Sequence, residues 1–478
     1  MIKDASENEN LYSTISDIYI GFNKELSALG LVNPDEEPRE IPTERIDKAT
    51  VVKAALYNKD GNMLNEIEAV YFVGYKGKKE YDEMMIVSIV TDPDDLFDYE
   101  KGIYVTGKEF DKYFSTLADF IGFNSRYIYS ENYFQRGENW RRAADIIFFN
   151  PYKKTIESGT FEIAIQGGFN RSDIPRSLNI YVQDKKRTIN GKALGFDYDI
   201  TSLTLFAGGN ERYTLLYDTI INMAVNDLCF ASRRFVPCAL FLEGEYWGQY
   251  FLTERYDAYY FQKKYGVNSK DVVLIKTSQV EIGSQSDLRE WKDLENYIAA
   301  NDMSEMVNYE YIKKHIDIES LVEYYATEIY IANMDWSPTS NFATWKSRST
   351  SKRSNYDDGR WRYALYDVNI SLDINNAQTC LIDRTKMQDP VFLSLMENVD
   401  FENQFNKKLV FLATVTFEPE NMRRMITNYC NELLPAMRKH YSRFFGKKNI
   451  EDYTKLCEQM ISYFQLRADY IIETYGVQ

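Results

Sequence analysis

Two acidic residues and an asparagine in the second half of the chain could carry phosphoryl-transfer chemistry. Asp335 lies in the segment Asn333–Asn341, directly after a helical pattern, and Asp367 ends an apolar run that starts at Trp361. An acid followed by Asn341, and then by a second acid at the end of a strand, supplies the parts needed to transfer a phosphoryl group from metal-bound ATP. One acid orients the attacking hydroxyl. The asparagine and the other acid offer hard oxygen ligands suited to Mg²⁺ or Mn²⁺.

A glycine pair and an arginine nearer the N-terminus extend this set. Gly167 and Gly168 follow an alternating strand pattern and lack a Cβ, so their backbone could approach phosphate oxygens. Arg176 shares the parity of apolar Leu178, so it should project towards the buried side of its strand. It could bind the α and β phosphates while Asp218 holds it in place, as a Lys–Glu pair does in protein kinases.

Each of these residues also has a structural interpretation. The glycine pair could be an ordinary turn, and Arg176 with Asp218 could be an interior ion pair. Asp335 could be a loop acid that follows a helix, and Asn341 could stabilise a turn. Asp367 could cap the segment that follows the strand. The residue types alone therefore leave both interpretations open.

The elements that must position these residues follow from hydrophobic periodicity. In chain order they are strands at 161–165 and 177–183, a helix with the stripe Leu216, Ile220 and Met223, a hairpin over 237–253 turned at 243–245, and a helix capped by Asp317. Asp218 points away from the apolar stripe of its helix. The helix that Asp317 begins delivers the chain to Asp335. Helix is expected to dominate from about residue 285 onward.

The composition predicts two or three folded domains with large cores. Of the 478 residues, 44% are apolar and 15% are aromatic. The net charge of −16, from 56 Lys and Arg against 72 Asp and Glu, argues against a general nucleic-acid binder. The two histidines, His315 and His440, lie outside any motif, which argues against His-dependent hydrolysis and His-ligated zinc.

The cysteines and the start of the chain bear on its compartment. The five cysteines are Cys229, Cys238, Cys380, Cys430 and Cys457. They show no Cys-x-x-Cys spacing, and their odd number predicts buried thiols rather than a disulfide framework. No apolar run approaches the roughly 20 residues that span a bilayer. The polar, acidic start does not resemble a secretion signal, although a leader could have been removed.

Several short motifs occur in a recognisable order. They are Gly102-Ile103-Tyr104-Val105-Thr106-Gly107, Asn132-Tyr133-Phe134-Gln135-Arg136-Gly137 with Trp140, Gly167-Gly168 with Arg171, Glu243-Gly244-Glu245-Tyr246-Trp247-Gly248-Gln249-Tyr250, Glu254-Arg255-Tyr256-Asp257, Asn333–Asn341 and Trp361–Asp367. From about residue 85 to 445 the chain resembles the spore coat CotH family of atypical kinases. Residues before about 75 resemble the small β domain, of the chitobiase C-terminal type, that often precedes such modules in secreted bacterial proteins.

The resemblance implies an α+β fold with an atypical protein-kinase-like module, built of a β-rich N-lobe and a helical C-lobe. The expected division is a disordered tail over 1–10, a small β-sandwich-like domain over 11–78, the kinase-like module over 79–445 and a helical extension over 446–478. Within the module, the N-lobe should span about 79–275 and the C-lobe about 276–445.

The resemblance also implies an activity, its cofactors and its partners. The expected reaction is ATP-dependent phosphorylation of Ser or Thr hydroxyls on surface or spore coat proteins, with Mg²⁺ or Mn²⁺ as cofactor. The partners would be ATP and a protein substrate, with no nucleic acid and no membrane span. The expected location is the spore coat or the extracellular surface.

The family motifs assign roles to individual residues of this chain. Asp335 matches the catalytic Asp, Asn341 the Asn on the metal side, and Asp367 the first acid of an Asp-x-Asp-aromatic-Gly pattern. Arg176 falls where the family carries a phosphate-binding Lys, and Glu254 lies where a kinase hinge would meet adenine. The residues assigned to nucleotide and phosphate binding are Gly167, Gly168, Arg171, Arg176, Asp218 and Glu254; those assigned to the metal are Asn341, Asp367 and Asn369.

The chain departs from the family pattern in several places. Gln166 and Asn179 replace basic residues, and the spacing from Asp335 to Asn341 is one residue longer than usual. Asn369 and Ser371 replace the second acid and the glycine, and losing one carboxylate should weaken Mg²⁺ binding. The alternative is therefore a nucleotide-binding or inactive pseudokinase that serves as a structural or interaction module on a cell or spore surface. A third interpretation, carbohydrate handling, lacks an assigned acid pair.

Overall fold

The chain folds into two compact units, each made of several segments. The computed structural model describes residues 2–4, 45–113, 130–184, 187–445 and 448–476. The first unit comprises Met1–Tyr213, Val236–Thr253 and Glu432–Asp452, and we call it the barrel unit. The second comprises Thr214–Phe235, Glu254–Asn431 and Tyr453–Gln478, and we call it the helical unit. Helices and sheets are both present, which confirms the α+β prediction.

The units do not divide at residue 275, where the sequence analysis placed the boundary between lobes. Asp218 and Glu254, predicted to lie in the N-lobe, both belong to the helical unit. Residues 432–452, predicted to lie in or just beyond the C-lobe, belong to the barrel unit. The predicted lobes stay a prediction, because a change in predicted secondary structure does not reveal which segments return to pack together.

A three-stranded antiparallel sheet stands at the start of the barrel unit. Its strands are β1 (Ile2–Asp4), β2 (Thr50–Tyr57) and β3 (Met63–Tyr71), in that order. The side chain of Asn58 accepts backbone hydrogen bonds from Asp60 and Asn62 and so closes the turn between β2 and β3. Ile2–Asp4 are thus a strand within the predicted disordered tail. The rest of that tail, and the predicted sandwich up to residue 44, lie outside the described residues.

Seven strands close into a barrel in the barrel unit. They are β4 (Met85–Val90), β5 (Arg142–Phe149), β6 (Thr155–Ile165), β7 (Leu178–Val182), β8 (Ser202–Phe206), β9 (Phe235–Leu242) and β10 (Glu245–Glu254). The order around the barrel is β10-β8-β7-β6-β5-β4-β9, and β4 pairs in parallel with β9. Closure leaves these strands without a free edge. The barrel core includes Ile89, Ile146, Phe148, Phe161, Ile163, Leu203 and Leu240.

The sequence predicted the strands around the glycine pair and the later hairpin. In β6 the buried residues alternate from Phe161 to Ile165, as the period-two pattern requires. The hairpin of β9 and β10 turns at Glu243 and Gly244, which have φ values of 52° and 78°. Two successive left-handed residues match the twist of antiparallel strands, and this explains the Glu-Gly turn.

The helical unit carries a small antiparallel sheet. Its strands are β11 (Val272–Lys276), β12 (Gln279–Ile282), β13 (Ala343–Ser347) and β14 (Arg362–Tyr363), in the order β12-β11-β13-β14. Of the predicted strand from Trp361 to Asp367, only two residues, Arg362 and Tyr363, form a strand. Asp367 follows it in an irregular segment rather than at a strand end.

Helices make up most of the rest. The barrel unit has α1 (Pro93–Phe97) and α2 (Gly107–Tyr113). The helical unit has α3 (Tyr217–Ala224), α4 (Ala258–Tyr265), α5 (Gln285–Ala300), α6 (Met306–His315), α7 (Ile318–Tyr330), α8 (Ile382–Gln388), α9 (Pro390–Leu395) and α10 (Val399–Phe411). Two long helices, α11 (Pro419–Phe444) and α12 (Ile450–Tyr475), contribute residues to both units. Within the described part of the chain, none of the helices has the length and apolar character needed to cross a membrane.

A buried arginine on α12 holds the end of α7. The Arg467 side chain is fully buried, and its Nε and one terminal nitrogen donate to the carbonyls of Tyr330 and Ile329 at 2.9 and 2.6 Å. The other terminal nitrogen donates to the carbonyls of Ala377 and Thr379 at 3.2 and 2.8 Å. One guanidinium therefore satisfies carbonyl groups that a helix end leaves without partners.

We expect Arg467→Met to destabilise the protein by about 3 kcal/mol, because four carbonyls would lose charged donors while the volume stays filled. Urea unfolding measures this loss. Lys455→Met, at an exposed site on the same helix, is the control and should shift unfolding by no more than about 0.5 kcal/mol. Equal stability of the two variants would show that Arg467 is not a structural anchor.

One disulfide corrects the prediction that all five cysteines are thiols. Cys430 on α11 and Cys457 on α12 are joined, with their Cα atoms 6.6 Å apart. Of the remaining three, Cys238 is buried as expected, whereas Cys229 and Cys380 are exposed. The pairing was missed because it depends on how the two helices pack, and a separation of 27 residues carries no disulfide signature.

Candidate active site

The segment that carries Asp335 is held from both sides by buried residues. Helix α7 begins at Asp317, whose carboxylate accepts the Ser320 N–H at 3.4 Å, as predicted. After α7, Trp336 is buried and its indole N–H donates to the Tyr324 hydroxyl at 2.9 Å. Asp335 itself is exposed. The Asp-Trp pair thus combines an anchor in the core with an acid that reaches solvent.

Asp335 and Asn341 lie in direct contact. The Asn341 side-chain amide donates to the Asp335 carboxylate at 2.9 Å and to the Asp335 carbonyl at 3.0 Å. Asn341 has a φ of 53°, a left-handed conformation that asparagine tolerates better than most residues. Because these hydrogen bonds use the side-chain nitrogen of Asn341, its side-chain oxygen could bind a ligand.

The extra residue between Asp335 and Asn341 does not separate them. Ser337 and Ser340 exchange both of their backbone hydrogen bonds, each at 3.0 Å. This tight turn takes up the added length within the loop. The longer spacing therefore leaves the contact between the acid and the amide intact.

Asp367 sits in a strained, half-buried position. Its φ is 58°, although it is neither glycine nor asparagine. Burial raises the pKa of the Asp367 carboxyl to about 7; the negative charge of Asp218 adds to the rise, and Arg233 opposes it. Among the described residues, none donates a hydrogen bond to this carboxylate or forms an ion pair with it. Strain and desolvation of this kind cluster at functional sites.

Asp218 supports the segment that follows Asp367. It is buried on α3, lies 3.6 Å from the Arg233 guanidinium, and accepts hydrogen bonds from Asn222 and from the Val368 backbone N–H. Burial raises the pKa of Asp218, and Arg233 opposes the rise. The expectation that this acid faces outward was wrong because the face of α3 opposite the apolar stripe is covered too.

A buried glutamate and an asparagine link the two acidic segments, and the sequence analysis missed both. Asn333 donates to the Glu328 carboxylate at 3.0 Å and to the Asp367 carbonyl at 3.5 Å. Its side-chain oxygen accepts the Asp335 N–H at 3.2 Å. Burial raises the pKa of Glu328 to about 8. Because α7 also carries Glu319 and Glu323, its sequence does not single out Glu328.

Lys276, at the end of β11, was also missed. Its ammonium lies 3.9 Å from the centre of the Tyr366 ring and interacts electrostatically with Asp367. Burial lowers the pKa of Lys276 to about 8. The residue is far from Asp367 in sequence, so only the folded chain brings the two together.

The glycine pair forms a compact turn in the barrel unit. Gly167 has a φ of 121°, and a Cβ there would lie 2.0 Å from the Asn170 side-chain oxygen. The Gly168 N–H donates to that same oxygen at 2.9 Å. Glycine is required at 167 by backbone conformation and by space, which is sufficient reason for it without a ligand. Its phosphate-binding role stays a prediction.

Arg171 donates its hydrogen bonds to main-chain carbonyls of the barrel unit. Its side chain is buried and donates to the carbonyls of Gly167, Tyr133, Gln135 and Ile165 at 2.9, 3.0, 2.9 and 2.7 Å. A guanidinium has five N–H groups, so four main-chain acceptors occupy most of its capacity. This geometry favours a structural role over the predicted contact with phosphate.

Arg176 is fully buried in the barrel unit, which agrees with its predicted inward projection. Its guanidinium lies 4.2 Å from the centre of the Tyr133 ring and 5.2 Å from that of Tyr104, and Nε donates to the Arg171 carbonyl at 2.6 Å. Asp218 belongs to the other unit. The predicted pairing of Arg176 with Asp218 therefore stays a prediction.

Two further predicted residues lie at buried positions of the helical unit. Glu254 is the last residue of β10, as expected, and its carboxylate accepts the Arg234 backbone N–H at 2.8 Å. Asn369 is buried two residues after Asp367. Ser371, in the place of the family's glycine, donates its hydroxyl to the Val368 carbonyl at 2.6 Å. The serine therefore stabilises the turn in which it replaces the family's glycine.

The oxygens that Asp367 and Asn341 offer, a carboxylate and an amide, are of the kind that a hard divalent cation binds. Asp367 offers a carboxylate with no hydrogen-bond donor among the described residues, and its pKa is raised by burial together with Asp218 and Asp335. Clustered negative charge of this kind is relieved by a cation, and carboxylate and amide oxygens suit Mg²⁺ or Mn²⁺.

The geometry agrees with a comparison against protein families. A family model described as CotH kinase protein matches residues 163–471, which is more than half of the chain and includes Asp335, Asn341 and Asp367. A search among curated proteins returned no match. The chain therefore belongs to the CotH kinase family.

Proposed function

We propose that this protein transfers the γ-phosphate of ATP to Ser or Thr hydroxyls of a protein substrate. The observation that carries the proposal is the 2.9 Å hydrogen bond from the Asn341 amide to the Asp335 carboxylate. It orients an exposed acid beside a residue that can serve a metal, which is the arrangement that phosphoryl transfer needs. Membership of the CotH kinase family supports the same reaction class.

The residues of the site divide the chemistry between them. Asp335 accepts or orients the proton of the attacking hydroxyl, because its carboxylate is exposed and its direction is fixed by Asn341. Asp367 and Asn341 would hold Mg²⁺ or Mn²⁺, with Asn369 as a further amide nearby in sequence. A bound cation of this kind neutralises charge on the phosphates. Glu328 and Asn333 keep the two acidic segments in register.

The substrate and location follow from the family rather than from the site. A surface or spore coat protein with accessible Ser or Thr residues is the proposed acceptor, and the spore coat or cell surface is the proposed location. The disulfide between Cys430 and Cys457 is consistent with an oxidising environment.

A second candidate is an inactive, nucleotide-binding pseudokinase that acts as an interaction module. The observation that favours it is Asn369, a neutral amide in the position of the second acid of the family pattern. One fewer carboxylate lowers the charge available to the metal and so lowers affinity.

Nucleotide and metal should stabilise the protein together if the proposal holds. We expect thermal unfolding to shift upward with MgATP, by about 2.7 kcal/mol of stability when ligand is at 100 times its Kd. Incubation with γ-labelled ATP and Mg²⁺ or Mn²⁺ should then label either the protein itself or an added Ser-rich acceptor.

The same two measurements separate the candidates. Stabilisation without any label would favour the pseudokinase. Neither stabilisation nor label at millimolar MgATP or MnATP would contradict both nucleotide-dependent functions.

A further inference from the structure

Lys276 ends strand β11 beside the segment that carries Asn341. In the sheet, Lys276 stands opposite Ala343 of β13. The turn that follows it uses Thr277 and Ser278, with φ values of 47° and 59°, and the Thr277 N–H donates to the Phe342 carbonyl at 2.8 Å. The backbone therefore fixes this lysine next to the loop of the proposed metal-side asparagine.

The ammonium of Lys276 has no anionic group in direct contact. In the part of the chain that the structure describes, its Nζ makes neither a hydrogen bond nor an ion pair, and it rests against the Tyr366 ring at 3.9 Å. Its charged neighbours are Glu281, Arg233, Arg255 and Asp367. Two of these four are arginines and two are acids, and the lysine lies close to Asp367.

Other cations of the helical unit are already paired. Arg233 lies 3.6 Å from Asp218, Lys408 donates to Glu323 at 2.6 Å, and Arg362 lies 2.9 Å from Asp317. These charges are balanced within the fold. Lys276 differs because its three N–H groups have no acceptor among the described residues, while it lies near the residues assigned to chemistry.

We propose that Lys276 binds the phosphate oxygens of the nucleotide and supplies the phosphate contact that the sequence analysis assigned to arginines of the barrel unit. This inference rests on the proposed function. An ammonium on a flexible stem can follow a phosphate as a point charge. Lys276 has no acidic partner in direct contact among the described residues, and an anion of several charges, such as a triphosphate, would supply one.

The test compares ligands that differ in phosphate number. By titration calorimetry we expect Lys276→Met to weaken MgATP binding roughly 10- to 100-fold, the loss of one hydrogen-bonded charge. Adenosine, which carries no phosphate, should bind with the same Kd as to the wild-type protein. Methionine keeps the aliphatic contact with Tyr366, and Lys276→Arg, which keeps the charge, should recover most of the affinity for MgATP.

Lys270→Met, at an exposed lysine of the same unit, is the matched control and should bind MgATP as the wild type does. Unchanged MgATP binding by Lys276→Met would overturn the inference and leave the proposed function standing. Equal loss of MgATP and adenosine binding would overturn it too, because Lys276 would then act through the fold. If the methionine variant folds poorly, Lys276→Gln against Lys276→Arg gives the same comparison. Absence of nucleotide binding by the wild type would overturn the inference and the proposed function together.

Discussion

Replacing Asp335 by Asn should lower phosphate transfer about 10³-fold, within the range found when a positioned acid or base is removed. The side chain is exposed, and among the described residues it accepts one side-chain hydrogen bond, from the Asn341 amide. Asparagine preserves shape and can still accept that hydrogen bond, so stability should change by no more than about 0.5 kcal/mol. The variant loses only the negative charge that orients a hydroxyl proton.

The experiment separates catalysis from binding and folding. Turnover with labelled ATP, MgATP affinity and the melting temperature are measured on the same samples. Asp293→Asn, an exposed acid on α5, is the control and should keep wild-type turnover. Asp335→Asn should bind MgATP close to the wild-type level. Wild-type turnover by Asp335→Asn would show that Asp335 is not the residue that accepts or orients the hydroxyl proton.

The contact between Asp335 and Asn341 could be predicted because it is local. Six residues separate the two, and the Asp-Trp…Asn order carries most of the information. The hairpin at Glu243 and Gly244 and the N-cap at Asp317 were predictable for the same reason. In each case the signal is contained within a short stretch of chain, where turn chemistry and capping decide the structure.

Residues that act through tertiary packing could not be found in this way. Lys276 reaches the site through pairing of β11 with β13, and Glu328 through a side-chain bond to Asn333. Neither contact has a sequence pattern. The outward orientation predicted for Asp218 failed because helical periodicity identifies the apolar face of α3 but cannot say whether the opposite face is also buried.

The hydrogen bonds of Arg171 to main-chain carbonyls show a related limit of prediction from sequence. Its place beside a glycine pair suits a phosphate contact and a loop anchor equally well. The choice depends on which acceptors surround the guanidinium, and those come from residues 133, 135 and 165 as well as 167. Sequence proximity to glycine therefore carries less information than the hydrogen-bond partners.

Replacing Asp367 by Asn should abolish transfer and yet stabilise the ligand-free protein. The folded-state pKa of Asp367, about 7, lies above the ordinary 3.8, so the folded state holds its proton more tightly than the unfolded chain. The stability that comes from this tighter proton binding is fully present at low pH and is lost as pH rises through 7. Asparagine carries no such titration, relieves repulsion from Asp218 and tolerates the φ of 58° better than aspartate.

We therefore expect Asp367→Asn to exceed the wild type in stability by about 1–2 kcal/mol at pH 8 without metal, and by less at pH 5. Urea unfolding at the two pH values measures this difference, with Asp293→Asn as the control. Mg²⁺ with ATP should stabilise the wild type but not the variant, because the carboxylate that would bind the cation is gone. A variant less stable than the wild type at pH 8 would contradict this prediction. It would mean that attraction of the Asp367 carboxylate to Arg233 and Lys276 stabilises the fold by more than burial of its charge destabilises it. A gain in stability together with loss of transfer would identify Asp367 as a charge kept for function at the expense of the fold.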